Sequence, residues 1–445
     1  MDGLVLVPEH ALTASRPRCQ EKRMIGRPRL LRDFNAQQIL RLLRKHSPCS
    51  RADLARYSGL SAPTISSGVA YLKQHGLIEP MGQGPSNGGR PPNLLRFNSK
   101  AGYVAGVDIG TSLVRIALAD LNGTVVEKLA VATHSQSTPD HVVSLIATGI
   151  RKLRARHRVP AKKLVALVAG VPGITDIQKG IVLSAPILPQ WQAVPLRDVL
   201  AKRVGTHTMV ENDVNLAALG EGRWGIARGV KNFVFLTVGS GIGAGIFING
   251  YLYHGADWAA GEIGYLYVPG TEESPLAILK PGPLEGMIGA KAIESAWRNL
   301  EDQNVESRRH KSGVDGGGIL DLAEKGDPLA GKILQQTARI LADAVTNISV
   351  VLNPSLVVLG GRVGSRPALF KATSRIIERN EFCRPRVAVS KLATEATVLG
   401  AVQLALNVAE QKILPDIENY DAFPRERQAL HHSGDYAAAR ENSSS

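Results

Sequence analysis

Cysteine is scarce in this chain: three residues occur among 445, at positions 19, 49 and 383. They are odd in number and no two have CxxC spacing, so we expect neither a disulfide framework nor a cysteine-rich zinc site. The sequence also lacks an apolar run of about 18 residues, and no apolar segment follows a basic start. We therefore expect a cytoplasmic protein with no membrane partner.

Aromatic residues are few as well, at 5% of the chain, whereas glycine is abundant, with 45 residues. This balance is typical of an α/β protein with many tight turns, and the length allows two or three domains. Positive charge is concentrated at one end, because residues 1–98 hold 15 Lys or Arg against 6 Asp or Glu. This end therefore carries +9 of the net charge of +14, which predicts a polyanionic partner there. A solvated basic tail is the alternative.

The pattern of a winged helix-turn-helix occupies residues 31–98. Residues 1–30, which precede it, mix Pro, Arg and Lys without periodicity and are predicted to be disordered. Apolar residues at helical spacing define a first helix. Ser50 and Ser61 each precede a further short helix and are predicted to be its N-cap. A strand, a glycine-rich wing over residues 82–92 and a returning strand complete the predicted module.

The third helix of this module is predicted to contact double-stranded DNA. Ile65, Val69 and Leu72 form its inward face, which leaves small hydroxyl residues near its N-terminus outside, where they can enter the major groove. An arginine on the wing can reach the minor groove or a phosphate. The predicted DNA-binding residues are Ser61, Pro63, Thr64, Ser66, Ser67, Tyr71 and Arg90. A winged module that contacts only proteins is the alternative.

Two similar hairpins suggest an internal duplication after residue 100. Residues 106–112 and 238–245 each form a tight loop of small residues after a strand, followed by a second strand and a turn. This duplication predicts two related lobes that face a cleft. We place lobe 1 at residues 101–228, joined by a C-terminal helix at 397–410, lobe 2 at 229–396, and a polar tail at 411–445.

The glycine-rich loops and several carboxylates are candidates for chemistry in that cleft. Amides of glycine-rich turns can approach phosphate closely, and Asp108 beside the first loop is placed to hold a Mg²⁺–water. Asp213, where a strand gives way to a helix, can act as a general base toward a sugar hydroxyl. The candidate nucleotide-binding residues in the two loops are Asp108, Gly110, Thr111, Gly239, Gly241 and Gly243. The simpler alternatives are a hairpin that only turns and a helix start favoured by the helix dipole.

Together these motifs resemble the ROK family, which comprises repressors, open reading frames and sugar kinases. The resemblance covers residues 35–410. It rests on VDIG (107–110), VPG (171–173), ENDVN (211–215), GSGIGAG (239–245), GEIG (261–264), NP (353–354) and GG (360–361). It implies an α/β fold in which an N-terminal winged helix-turn-helix precedes a two-lobed actin-like ATPase body.

The resemblance also implies roles for particular residues. Asp213 falls at the catalytic-base position, and Gly360 and Gly361 fall in the adenosine region. The sugar-binding positions implied by the family are Asn212, Asp213, Glu262, Tyr265 and Glu285. Tyr265 is a departure, since family members usually have His there, and the cysteines of the family's zinc knuckle are missing before Glu285. No zinc is therefore expected.

Two further departures argue against efficient use of ATP. Thr111 replaces the second glycine of the first phosphate loop, and Arg362 follows Gly361 where a third glycine is usual. The favoured interpretation is therefore a sugar-responsive transcriptional regulator, more specifically a repressor of carbohydrate metabolism genes. It requires no cofactor and binds a two-fold DNA site as a homodimer or homotetramer. The alternatives are an ATP- and Mg²⁺-dependent hexose or aminosugar kinase with an appended DNA-binding module, and a scaffold whose cleft binds nothing.

Overall fold

The computed structural model describes residues 28–85, 91–134, 136–188, 190–269, 281–303, 313–382 and 384–413. A small three-stranded sheet belongs to the winged module, and each of the two lobes has a five-stranded sheet. No helix within these ranges combines the length and the apolar character needed to span a membrane.

The winged module has the predicted elements. They are α1 (Pro28–His46), β1 (Cys49–Ser50), α2 (Arg51–Ser58), α3 (Ala62–Gln74), β2 (Ile78–Gln83) and β3 (Asn93–Phe97). Helix α1 begins inside the segment predicted to be disordered; the rest of that prediction, for residues 1–27, lies outside the described residues. Both N-cap predictions are confirmed, because Ser50 forms a capping box with Asp53 and the Ser61 side chain accepts from the Thr64 amide.

The core of the winged module is continuous with that of lobe 1. The predicted inward faces are buried, with Leu43, Val69 and Leu72 fully shielded from solvent. The same apolar cluster continues into the last described helix through residues such as Val402 and Ala405. The winged module therefore packs on lobe 1.

Lobe 1 is an α/β unit. Its strands are β4 (Tyr103–Ile109), β5 (Leu113–Asp120), β6 (Val125–Ala132), β7 (Leu164–Val171), the hairpin β8 (Ile174–Asp176) and β9 (Ile181–Ser184), and β10 (His207–Asn212). Its helices are α4 (Pro139–Arg156), α5 (Leu196–Val204) and α6 (Asp213–Arg223). The large sheet has the order β10-β7-β4-β5-β6, with β4, β5 and β6 antiparallel and β7 and β10 added in parallel.

Lobe 2 repeats this topology. Its strands are β11 (Phe233–Val238), β12 (Ile242–Ile248), β13 (Tyr251–Tyr253), β14 (Leu356–Gly360) and β15 (Arg386–Val389). Its helices are α7 (Pro283–Ile288), α8 (Ala290–Gln303), α9 (Gly316–Glu324), α10 (Pro328–Leu352) and α11 (Pro367–Ile377). The order is β13-β12-β11-β14-β15, again an antiparallel meander extended by two parallel strands. The duplication predicted from the two hairpins is thus present in the sheets.

The two lobes meet at α6 and at the C-terminal helix α12 (Ala396–Ile413). A Cβ on Gly400 would overlap the carbonyl oxygen of Leu216, so the backbones of α12 and α6 are in direct contact. A Cβ on Gly245 of β12 would lie 2.9 Å from the carbonyl oxygen of Val214, so α6 also packs against lobe 2. Helix α6 therefore lies between the lobes, with Asp213 as its first residue.

Candidate functional site

A cavity of about 260 Å³ lies between the lobes. Small-molecule pockets span about 300–1,000 Å³, so this cavity suits a small ligand such as a monosaccharide. The structure brings all five predicted sugar-binding residues to its wall, together with Gly239, Gly241, Gly243 and Gly361. Sequence reasoning missed the lining residues Pro186, Ile187 and Thr237, which belong to no motif, and it included Ser240 only as part of the glycine-rich loop.

Asn212 mainly shapes the wall on the lobe 1 side. Its Oδ1 accepts from the amides of Val214 (2.8 Å) and Asn215 (3.0 Å), which caps α6. Its Nδ2 donates to the carbonyl of Gly173 (3.0 Å). The amide side chain thus links the start of α6 to the neighbouring turn, and its contact with a sugar stays a prediction.

Asp213 is half-buried at the cavity wall. Burial raises the pKa of its carboxyl to about 7, and the nearby charge of Asp108 adds to this, against the lowering effect of the Val214 amide. A carboxyl with a pKa near neutrality can exchange protons or accept hydroxyl hydrogen bonds at physiological pH.

Glu262 enters the cavity from a turn that requires glycine. Gly261 has φ +91°, and a Cβ there would overlap the carbonyl oxygen of Ala244. The Ala244 amide in turn donates to the Gly261 carbonyl at 2.7 Å. This close approach holds the start of the 3₁₀ helix Ile263–Tyr265, which places Glu262 and Tyr265 together at the wall.

The charge of Glu285 acts on the carboxyl of Glu262 at the cavity wall. Burial, and then the charge of Glu285, raises the pKa of Glu262 to about 7. Burial also raises the pKa of Glu285, although Oε2 of this residue accepts from the Ile242 amide at 3.0 Å. The pKa of the Tyr265 hydroxyl is raised by burial and by both glutamates. The cavity thus gathers several acceptors suited to the paired hydroxyls of a sugar.

The first loop lies outside this cavity. None of Asp108, Gly110 and Thr111 is among its lining residues. Asp108 is 7% exposed, and its Oδ2 pairs with Arg115 Nη1 at 3.0 Å, directly across the β4–β5 hairpin. Burial raises the pKa of Asp108 to about 6, and the Arg115 guanidinium opposes that rise. A protein cation therefore contacts the carboxylate that was predicted to hold Mg²⁺–water.

Protein side chains also form contacts with one another in the predicted adenosine region. Arg362 lines the cavity and forms an ion pair with Asp315, the N-cap of α9. Gly361 turns the chain with φ +82°. Gly360 lies within β14, where a Cβ would overlap the ring of Phe235, so its lack of a side chain serves packing and it does not line the cavity.

Comparison with known proteins identifies the family of this chain. A family model described as ROK family matches residues 104–408, more than half of the chain. The chain belongs to the ROK family. The xylose repressor of Caldicellulosiruptor bescii is 28% identical over 395 residues, which cover 86% of this chain and 98% of the repressor. The glucokinase of Thermotoga maritima is 30% identical over 311 residues, which cover 67% of this chain and 96% of the kinase.

The fold has a solved counterpart over most of the chain. A crystal structure described as a ROK family transcriptional regulator, homologue of the Escherichia coli MLC protein, superposes with a TM-score of 0.71. It is 22% identical and covers 87% of this chain and 98% of its own. A MarR family model separately matches residues 34–84, within the winged module.

This ROK chain presents most of its predicted DNA-binding side chains on α3. Ser61, Pro63, Ser66 and Ser67 are exposed, whereas Thr64 is half-buried, with its Oγ1 2.8 Å from Ser61 Oγ.

Tyr71 differs from that exposed group. Tyr71 is half-buried, with the guanidinium of Arg32 4.5 Å from its ring centroid and the ring of His75 4.3 Å away. Tyr71 therefore packs between α1 and the end of α3. Arg90 lies outside the described residues.

The residues present do not fit the zinc knuckle that the family resemblance implies. Residues 261–285 contain neither Cys nor His, the side chains that bind structural zinc. Over the described ranges, no group of three His, Cys, Asp or Glu is arranged to hold a metal ion. The wall at Glu262 and Glu285 is instead supported by the Ile242 and Gly261 contacts.

Proposed function

We propose that this chain is a sugar-responsive transcriptional repressor of carbohydrate metabolism genes. Double-stranded DNA binds the winged module, and a monosaccharide binds the cleft between the lobes. One observation carries the proposal: carboxylates face the cavity on the sugar side, while Asp108 and Asp315 on the nucleotide side are paired with Arg115 and Arg362. The relative named as a xylose repressor supports the same class, and makes D-xylose the first ligand to test.

A continuous route leads from the cavity to the DNA-binding module. Asp213 begins α6, and α6 is in backbone contact with α12 at Gly400. Near the end of α12, Glu410 Oε2 pairs with Arg44 of α1 at 3.0 Å, and Arg41 lies 3.6 Å from Glu410 Oε1. In this proposal, a ligand that shifts the lobes moves α1 through these contacts. Coupling of about 1–3 kcal/mol would change DNA affinity by roughly 5–150-fold.

The repressor in this proposal needs no metal or cofactor. It acts as a homodimer or homotetramer, because a two-fold DNA site requires two winged modules. Sugar binding alters the separation of those modules through the α6–α12 contact.

DNA binding with and without sugar tests the proposal. The full chain is titrated into fluorescent duplexes from the region upstream of its own gene, with D-xylose, D-glucose or no sugar. We expect a salt-dependent affinity for at least one duplex that weakens roughly 5–150-fold with one sugar. Thermal unfolding with the same sugars tests the inert-scaffold alternative, because a ligand of the folded state raises the midpoint. Equal DNA affinity under all conditions, without a thermal shift, would contradict the proposal.

An ATP-dependent hexose or aminosugar kinase is the second candidate. It is favoured by Asp213, whose pKa of about 7 at the cavity wall suits a general base, and by the similarity to a glucokinase. The test is a coupled assay with Mg²⁺ and ATP over a panel of hexoses and aminosugars. We expect no turnover; turnover that disappears in Asp213→Asn would establish the kinase.

A further inference from the structure

A buried imidazole–carboxylate pair joins the two lobes beside the cavity. His254 Nε2 lies 2.8 Å from Glu211 Oε2, and the two side chains are 9% and 3% exposed. Glu211 belongs to β10 of lobe 1, whereas His254 directly follows β13 of lobe 2. The pair therefore connects the lobes by a directional contact, in addition to the apolar packing of α6.

On the lobe 1 side, Glu211 organises the start of α6. Its Oε1 accepts from the backbone amide of Asn212 (2.8 Å) and from Asn215 Nδ2 (3.0 Å). These bonds fix Asn212, the residue before Asp213, and Asn215, two residues after it, and the carboxyl of Asp213 faces the cavity. A change in the position of Glu211 therefore moves the lobe 1 wall of the cleft.

On the lobe 2 side, His254 begins the loop that carries Glu262. The His254 carbonyl accepts from the Ala260 amide at 3.2 Å, which closes this loop on itself. The ring of Trp258 lies edge-on to the His254 ring, with centroids 5.7 Å apart, and restricts its orientation. The far end of the loop is held at Gly261 by the Ala244 amide. The imidazole thus anchors the wall that presents Glu262.

We infer that Glu211 and His254 are a positioning pair that sets the separation of Asp213 and Glu262 across the sugar cleft. This inference rests on the proposed function, in which the cleft binds a sugar. A sugar bound by carboxylates on opposite walls needs both walls at a fixed distance, because hydrogen bonds weaken steeply with poor geometry. Apolar packing is non-directional, whereas a hydrogen bond between the lobes also fixes their relative orientation.

The molecule offers a matched control. His157 Nε2 lies 2.6 Å from Glu127 Oε2, in a pair of the same chemistry. Both residues belong to lobe 1, and neither lines the cavity.

Isothermal titration of the full chain with D-xylose and with D-glucose tests the pair. We expect His254→Ala to raise the Kd roughly tenfold or more, the effect of losing a charge-assisted hydrogen bond. We expect His254→Gln, whose Nε2 can donate to Glu211, to stay within roughly threefold of the unmodified chain, and His157→Ala to leave the Kd unchanged. Rescue by Gln separates positioning from a general loss of packing, and circular dichroism checks that each variant is folded.

A second measurement does not depend on sugar binding. Spin labels at Gln178→Cys in lobe 1 and Lys325→Cys in lobe 2 report the separation of the lobes, with Cys19→Ser and Cys383→Ser to prevent other labelling. Both labelled positions are exposed. We expect His254→Ala to lengthen and broaden the distance distribution, and His254→Gln to restore it. An unchanged distribution in His254→Ala would overturn the inference. If neither sugar binds the unmodified chain, the proposed function fails. The distances between the spin labels still decide whether Glu211 and His254 position the lobes.

Discussion

The sugar side and the nucleotide side of the cleft each take carboxylates from both lobes and differ in what those carboxylates contact. On the sugar side, Asp213 and Glu262 line the cavity, and no ion pair within the described ranges involves either of them. On the nucleotide side, arginines pair with Asp108 and Asp315. The charge of a carboxylate that is paired with a protein cation is already compensated. A carboxylate at a cavity wall can instead accept a hydrogen bond from a ligand hydroxyl. We therefore propose that this duplicated ATPase fold keeps sugar binding, while its own arginines occupy the carboxylates of the nucleotide side.

The largest effect is expected when an acceptor on the sugar side is removed. We expect Asp213→Asn to weaken D-xylose binding by roughly 10–100-fold, because hydrogen bonds to a charged acceptor contribute about 1.5–3 kcal/mol. Asp198→Asn, an exposed carboxylate on α5, serves as the control and should leave the Kd unchanged. Calorimetric titration measures both. Equal affinities in the two variants would show that the sugar does not contact Asp213.

Removal of the Arg115 cation on the nucleotide side should lower the stability of the fold and leave the sugar Kd unchanged. The side chains of Arg115 and Asp108 are 28% and 10% exposed. Removing one partner of a fully buried pair costs about 3–5 kcal/mol, so for this partly exposed pair we expect Arg115→Met to lower the free energy of unfolding at pH 8 by roughly 1–3 kcal/mol. Urea unfolding measures the change.

The pH dependence of that loss identifies its cause. The pKa of Asp108 is about 6 with Arg115 present, and loss of the cation raises it further. Below that range the folded carboxyl is protonated in both chains, so the loss should largely disappear by pH 5. Addition of Asp108→Asn should restore stability at pH 8. A loss of equal size at pH 5 and pH 8 would assign the effect to packing of the arginine stem.

The near-neutral carboxyls of the sugar side predict a pH-dependent affinity. The pKa values of Asp213 and Glu262 are raised to about 7, so the folded chain binds more protons than the unfolded chain between about pH 4 and 7. These groups therefore make the ligand-free protein less stable as pH rises through that window. Sugar hydroxyls donate best to ionised carboxylates, so we expect D-xylose affinity to increase up to about tenfold per carboxyl from pH 6 to pH 8.

Titrations at pH 6, 7 and 8 measure this effect, and Asp213→Asn should flatten the profile. An affinity that is constant or falls as pH rises would show that the protonated carboxyls are the binding species.

The sequence predicted features set by local chemistry and by repetition. The caps Ser50 and Ser61 were recognisable because capping depends on neighbouring residues, and the duplicated lobes because both hairpins share one pattern. The Asp108–Arg115 pair could also have been predicted from the sequence, since a hairpin that turns between residues 110 and 113 places these two residues opposite each other. The His254–Glu211 and Arg44–Glu410 pairs join distant segments, and no local pattern indicates them.

A smaller effect is expected where α1 meets α12. Glu410 contacts Arg44 and Arg41, and networks of this kind change coupling by about 0.5–2 kcal/mol. We expect Glu410→Gln to reduce the effect of D-xylose on DNA affinity while leaving the sugar Kd unchanged. Glu395→Gln removes the exposed Lys128–Glu395 pair near the start of α12 and is the control. Fluorescence anisotropy with and without sugar measures the coupling, and an unaltered sugar effect in Glu410→Gln would exclude this contact from the route.

The smallest effect is expected at the Arg362–Asp315 pair. Its side chains are 72% and 41% exposed, and exposed ion pairs contribute about 0–1 kcal/mol, so Arg362→Gly should barely change the unfolding midpoint. It should also fail to create MgATP binding, because Arg115 still contacts the carboxylate that a hydrated Mg²⁺ would need. Combination with Arg115→Met, measured by MgATP titration at pH 8, separates the two barriers. Nucleotide binding in Arg362→Gly alone would mean that a single exposed arginine keeps ATP out, and that Asp108 and Arg115 have no part in excluding it.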